Sequence, residues 1–361
     1  MENNKQIQKA GDGSQQIQAQ SVIVNNGITE ERARAIFTEM NELALQEYTN
    51  DAYKIATDRI NCFENRLMPR ILSIENSLPM FADPAFQFQL KSAQRTAAAT
   101  ERQDDYALLT ELLVCHIQKG RDRKNRAGIS KAVEIVDEVD NDALCALTAA
   151  HALGTLIPRS ESVKGGLEIL DGTFSKIIYE ELPSGDQWLD HLDILGAIRT
   201  LHFVKLKPLE QYSVERFEGY SCIGIKKDSD NFKKAEEYLA KVALNDSILV
   251  DNECLDGYVR LPIIKKMCIN DVLVINDDNC RYINDVEKKA LESIWELYEN
   301  DAQKLTEVHN NFIKLWDSFE SLKKLHVWWN DIPYSFSITQ VGTILAHTNA
   351  KRCDKSIPDL I

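Results

Sequence analysis

TEERARAIFTEMNELALQEYTNDAYKIATDRINCFENRLMP, residues 29–69, decides the fold class. Apolar side chains recur at Ala33, Ile36, Phe37, Met40, Leu43, Ala44, Tyr48, Ala52, Ile55, Ala56, Ile60, Phe63 and Leu67. Steps of three and four place them on one face of an α-helix. Thr29 carries the side-chain oxygen that caps a helix start, and Glu30 and Glu31 suit the positive end of the helix dipole. Pro69 lacks the N–H that a continuing helix needs, so it is expected to end or kink the run. The spacing predicts one helix of about 40 residues, well above the usual length. Such a helix either pairs with a second copy as a coiled coil or forms the backbone of a bundle with the chain's own later helices.

Upstream the composition changes. Residues 1–28 hold six Gln, four Asn and no aromatic residue, with a turn signal at Gly11-Asp12-Gly13-Ser14. From Gln15 to Val24, Ile17 and Ala19 alternate with glutamines and β-branched residues follow. That is strand-like, and too short to be stable alone. The segment is expected either to be a disordered tail or to pair between subunits through its backbone. Asn26-Gly27 separates it from the helix.

Downstream, helical signals follow in quick succession. Asp83-Pro84 reads as a cap and first-turn proline. Core-spaced runs follow near 104–118 and from Ser130, Asn141, Ser162, Ser184 and Pro208. The uncharged stretch Ala143–Pro158 is too short to span a bilayer and reads as a buried helix. Another helix is expected over 228–244. The stretches 247–250 and 267–275 are apolar and β-branched, and either short strands or buried turns fit them. Asn284-Asp285 caps a further helical run reaching Phe319, with a break near Asn300 or Asp301. Residues 333–339 read as a strand and 340–351 as a helix capped by Thr339, with Gly342 allowing close packing at the corner. The fold class is therefore mainly α, a multi-helix bundle with a long N-terminal helix, a short N-terminal β-like segment and a few short strands near the C-terminus. The expected division is a leader at 1–28, a long helix and connector at 29–82, a central helical domain at 83–226 and a C-terminal helical domain at 227–361.

Composition bounds the function. The 361 residues are 44% apolar and 27% charged, the ordinary globular range. Forty-two basic and 56 acidic residues give a formal charge of −14. That argues against general, charge-driven binding to nucleic acid or anionic membrane and leaves room for a local basic site. Eight scattered cysteines form no C-x-x-C pair and no zinc-ligand spacing, as expected of reduced thiols in a cytosol. No apolar run resembling a signal peptide opens the chain. No G-x-S-x-G, H-E-x-x-H, P-loop or deaminase signature occurs, and no cofactor is expected.

Three stretches resemble known sequences. Ala10-Gly-Asp-Gly-Ser-Gln-Gln-Ile-Gln18 resembles the AGD-x-S-x-x-IQ leader of bacterial proteins, some of them associated with phage defence. Trp188-Leu-Asp-His-Leu-Asp-Ile-Leu195 and Phe336–Ala350 are similar to segments of an uncharacterised family of bacterial cytosolic proteins. The resemblance covers most of the chain. It implies a fold shared with those relatives and carries no established activity. Ile338-Thr339-Gln-Val-Gly342 also resembles the LT-x-x-G strand-to-helix corner of winged-helix domains, with Ile in place of Leu.

Four groups of residues could carry function. Lys119, Arg121, Arg123, Lys124 and Arg126, with Asp122 the only acid among them, form a basic loop suited to phosphate or nucleic-acid backbone, unless its arginines pair with the protein's own acids. No aromatic residue interleaves, so base stacking is not suggested. Asp190, His191 and Asp193 could ligate a metal with help from His151 or His202, or simply cap a turn. Trp328-Trp329 marks an interface unless the terminal helix covers both rings. Ile17 and Val22 in the leader, with Ile36, Met40 and Leu43 on the first helix, are the candidate oligomerisation residues. The primary expectation is a non-enzymatic, homo-oligomeric interaction protein of a bacterial cytosol with a protein partner, possessing no membrane segment. The alternatives are a nucleic-acid- or nucleotide-binding effector using residues 119–126, and a metal-dependent hydrolase built on His191.

Overall fold

The helical face at 29–69 is broken in two. The computed structural model of the protein describes residues 28–46, 48–276 and 279–359. Helix α1 spans Glu30–Leu45 and α2 spans Asn50–Leu72. Between them Thr49 is extended, with φ −70° and ψ 161°, and occupies the cap position of α2. The single long helix is thus corrected. Apolar spacing persists across the break, but a Thr-Asn pair can start a helix as well as continue one. Ile55, on the expected face, is 57% exposed, whereas Ala56, Ile60, Phe63 and Leu67 are buried. Pro69 does not end α2, which runs three residues further. So near the end of a helix, Pro69 forfeits one backbone bond, on the exposed side. Residues 1–27, with the strand-like segment, Ile17, Val22 and the Asn26-Gly27 junction, lie outside the described residues.

The remaining helices of the first half are α3 (Pro84–Ala99), α4 (Gln103–Lys119), α5 (Arg123–Glu134), α6 (Asn141–Thr155), α7 (Val163–Ile177) and α8 (Gln187–Ile194). Strand β1 (Ile198–Leu201), α9 (Leu209–Arg216), β2 (Ile225–Lys226), α10 (Asp230–Lys241), β3 (Val250–Asp251) and β4 (Tyr258–Arg260) follow. The chain continues through β5 (Leu273–Asn276), β6 (Asn279–Tyr282), α11 (Asp285–Trp295), α12 (Ala302–Trp316), α13 (Glu320–Asp331), β7 (Ser335–Ile338) and α14 (Gln340–Cys353). The protein is a mainly α helical bundle. Its short strands form three small antiparallel sheets, β1–β7, β2–β4–β3 and β5–β6.

Helices α1 and α2 both pack on α3, and α2 also packs on α4. Ile36 is buried in this bundle and Met40 packs against it, leaving Leu43 as the exposed member of the three. Helix α6 is buried on every side from Ala143 to Leu153, which explains why that stretch carries no charge. Buried apolar side chains form two clusters. The larger gathers α1–α9 and α12–α14. The smaller gathers Ile225, Leu239, Val259, Leu261, Ile269, Leu291 and Ile294. Strand β4 belongs to both, and its last residue, the fully buried Arg260, donates to the carbonyls of Leu261 and Glu161 at 3.0 and 2.7 Å, tying the smaller cluster to the start of α7.

Candidate functional site

The position of α14 organises the region of interest. Strand β7 pairs with β1 in register Ile198↔Ile338 to Leu201↔Ser335. Thr339 then turns the chain: its hydroxyl accepts the N–H of Gly342 at 3.2 Å and its backbone N–H donates to Ala197. A Cβ on Gly342 would sit 2.0 Å from the Ala197 carbonyl oxygen, so only glycine lets α14 start this close to β1.

Helix α14 then runs beside α5 in the same direction. Gln340 Nε2 donates to Asn125 Oδ1 at 3.0 Å, and Gly128 lies against Gln340 and Ile344. The two helices therefore begin side by side. Neither has an acidic residue in its first turn. Two sets of free backbone N–H groups, each with the positive end of a helix dipole, face one region.

The basic run lies here, and it is not a loop. Lys119 ends α4, Gly120 and Arg121 make the turn, and Arg123, Lys124 and Arg126 belong to the first turns of α5. Asp122 caps α5 by accepting the N–H of Asn125 at 2.9 Å. Arg121, Arg123 and Lys124 are exposed, and Lys119 and Arg126 are half-buried. Among the described residues none of the five forms an ion pair with a carboxylate. The acids among the described residues therefore do not pair with the run. Basic side chains at a helix start also oppose the dipole. The arrangement can hold an anion of extended shape, and phosphate suits the guanidinium fork.

Behind the corner lies a cleft between α4 and α14, lined by Glu111, Cys115, Lys119, His347, Lys351 and Asp359. The side chain of Glu111 is 9% exposed and accepts from Arg70 Nε at 3.1 Å and Lys355 Nζ at 2.8 Å. Burial opposes its charge, but these two cations hold its pKa below the ordinary value. Burial pushes the Cys115 thiol up, which makes it a poor nucleophile. His347 Nε2 lies 3.0 Å from the Pro358 carbonyl oxygen, which only accepts, so Nε2 carries the proton. His347 Nδ1 then accepts from His151 Nε2 at 3.3 Å. Burial lowers the pKa of His347, and burial with the neighbouring His347 lowers that of His151 to about 4. Both rings are neutral at pH 7.

Asp190, His191 and Asp193, the candidate metal residues, each have other partners. Asp190 accepts from Tyr334 Oη at 3.2 Å, His191 Nε2 accepts the N–H of Asp140 at 3.3 Å, and Asp193 accepts from the N–H and hydroxyl of Thr200 at 3.0 and 2.6 Å. His151 is buried against His347, and His202 is 3.3 Å from Thr200 Oγ1. Among the described residues no three metal-ligating side chains come together. The Trp pair is buried on both members. Trp328 Nε1 donates to Pro183 O at 3.0 Å and Trp329 Nε1 to Lys207 O at 2.9 Å, with Trp188 and Tyr212 as their ring neighbours. Neighbouring positions on α13 both fall within its buried stripe.

The model of one protein family, described as ":-like", matches residues 27–359. The chain belongs to that family. No curated protein and no solved structure matches the chain. Family membership covers every helix and strand described above and leaves the leader at 10–18 outside the matched span. No helix among the described residues is long and apolar enough to cross a membrane.

Sequence reasoning missed one surface. At the end of β1 and just after it the chain exposes Leu201, Phe203 and Val204, with Phe203 entirely in solvent, and Ile194 is exposed at the end of α8. The run Leu201-His202-Phe203-Val204 carries the signal in its composition, since nothing in it alternates as a half-buried strand should.

Proposed function

We propose that the protein is a non-enzymatic helical binding protein that holds the phosphate backbone of a nucleic acid on the corner between α4 and α5. One observation carries this reading: among the described residues, no carboxylate forms an ion pair with the five basic side chains around the point where α5 and α14 begin side by side. In a chain of charge −14, acids are plentiful, yet among the described residues none forms an ion pair with this corner, and Asp122 within it caps α5. With no aromatic ring in the run, recognition would be of backbone charge rather than of bases. Fluorescence anisotropy with a labelled single-stranded oligonucleotide tests it. Arg121→Ala combined with Arg123→Ala should weaken binding about tenfold. Weak binding left unchanged by that double substitution would overturn the reading.

A second reading is favoured by the exposed turn at 201–204. An apolar surface of this kind suits association with another protein or a second copy. A defence-associated accessory role in a bacterial cytosol accords with the resemblance of the Ala10–Gln18 leader. Light scattering after size exclusion, on the full chain, on the chain lacking residues 1–28 and on Phe203→Ser, tests assembly. A monomer in all three would end it.

A further inference from the structure

The Lys351–Asp359 ion pair lies in the cleft that Lys119 shares with the basic corner. Lys351 sits on the face of α14 toward α4, with its side chain 21% exposed. Burial lowers the pKa of its ammonium, Arg70 and Lys355 add to this and the Glu111 charge opposes it, so an anion beside the group is favourable. Glu111 is not that anion as far as hydrogen bonds go: its oxygens accept from Arg70 and Lys355. Asp359 supplies it. The carboxylate of Asp359 is 57% exposed and rides on two residues beyond the buried anchor Ile357. The preceding residue is held as well, the Pro358 carbonyl accepting from His347 Nε2. With Asp359 seated, the cleft retains about 30 Å³, room for ordered water rather than for a phosphate.

We infer that Lys351 and Lys119 form a phosphate seat that extends the basic corner into the cleft between α4 and α14, and that the carboxylate of Asp359 occupies this seat until a nucleic-acid phosphate displaces it. The inference rests on the binding role proposed for the corner. Charge and placement support it. The seat is continuous with the corner through Lys119, it already holds an oxyanion, and a half-exposed ion pair is weak enough to exchange. The neutral His151–His347 pair behind it adds no charge, and the Glu111 carboxylate in the same cleft accepts from Arg70 and Lys355.

Anisotropy titration of a labelled single-stranded oligonucleotide separates the outcomes, with circular dichroism confirming that each variant folds. Asp359→Asn should bind roughly threefold or more tighter than the unaltered protein, about the effect of one added phosphate contact. Lys351→Ala placed on Asp359→Asn should abolish that gain. A gain that survives Lys351→Ala would overturn the seat, since it would then be a general effect of net charge. Affinity unchanged in Asp359→Asn, while Arg121→Ala with Arg123→Ala weakens binding, would overturn the seat alone. Absence of binding by the unaltered protein would overturn both the seat and the corner.

Discussion

The two ends of α14 treat charge in opposite ways. Around its C-terminal end every kind of cation has an acid. Arg352 pairs with Asp104 at 3.3 Å, Arg70 and Lys355 converge on Glu111, and Lys176 reaches Asp354 at 2.9 Å. Lys351 and Arg352 also sit in the last turn, where they suit the helix dipole. At the N-terminal end Arg123, Lys124 and Arg126 sit at the start of α5, against the dipole, and among the described residues no carboxylate forms an ion pair with the run. One end is arranged as stability would arrange it. The other carries charges that folding does not require, and this difference is the reason to read the corner as a binding surface.

The largest disruption should come from Gly342→Ala. The added Cβ meets the Ala197 carbonyl, so the start of α14 must move away from β1 and from the corner. We expect a loss of about 2 to 3 kcal/mol by chemical denaturation, with oligonucleotide affinity falling as well. Unchanged stability would mean that the corner tolerates a shifted helix.

Acid should act next, through the His151–His347 pair midway along α14. An unfolded chain takes up a proton on His151 near pH 6.5, roughly the unperturbed value, whereas the folded state holds it to about 4. The unfolded state therefore binds more protons between these values. The stability from keeping His151 neutral is present above about pH 6.5 and declines as pH falls toward 4. Melting temperatures measured across that window should drop, and His151→Gln should flatten the profile. An identical slope in that variant would assign the loss to other groups.

Glu111→Ala should cost about 1 to 2 kcal/mol, because Arg70 and Lys355 lose their shared buried acceptor. Arg123→Ala should do the reverse and stabilise by about 0.3 to 1 kcal/mol, since it removes a cation from the wrong end of α5. Denaturation of these two variants side by side sharpens the comparison. Equal losses would show that the corner cations are structural after all.

Much of this fold was legible because its signals are local. The caps at Thr29, Asp83, Asn284 and Thr339 each accept the backbone N–H groups expected of them. The close approach at Gly342 and the buried character of 143–153 could likewise be read from neighbouring residues. Errors came where local pattern was ambiguous. Apolar spacing ran through the break at 46–49, and the charge of 119–126 masked the helix that Asp122 caps. The run from Asp285 breaks at 296–301, as expected near Asn300, and α12 ends at Trp316, three residues short of the expected Phe319. Of the ambiguous stretches, 266–271 is a 3-10 turn and 273–276 is β5. The site was illegible for a different reason. Asn125 meets Gln340, and Lys119 shares a cleft with Lys351, across more than two hundred residues of chain. No spacing rule reaches that far.

The most direct test of the central claim is the salt dependence of oligonucleotide binding, from about 50 to about 200 mM monovalent salt. If the five corner cations meet phosphates, the logarithm of affinity should fall with the logarithm of salt with a slope of about −3.5, and Arg121→Ala with Arg123→Ala should make it shallower by roughly 1.4. A slope near zero, or one that the double substitution leaves unchanged, would contradict the account.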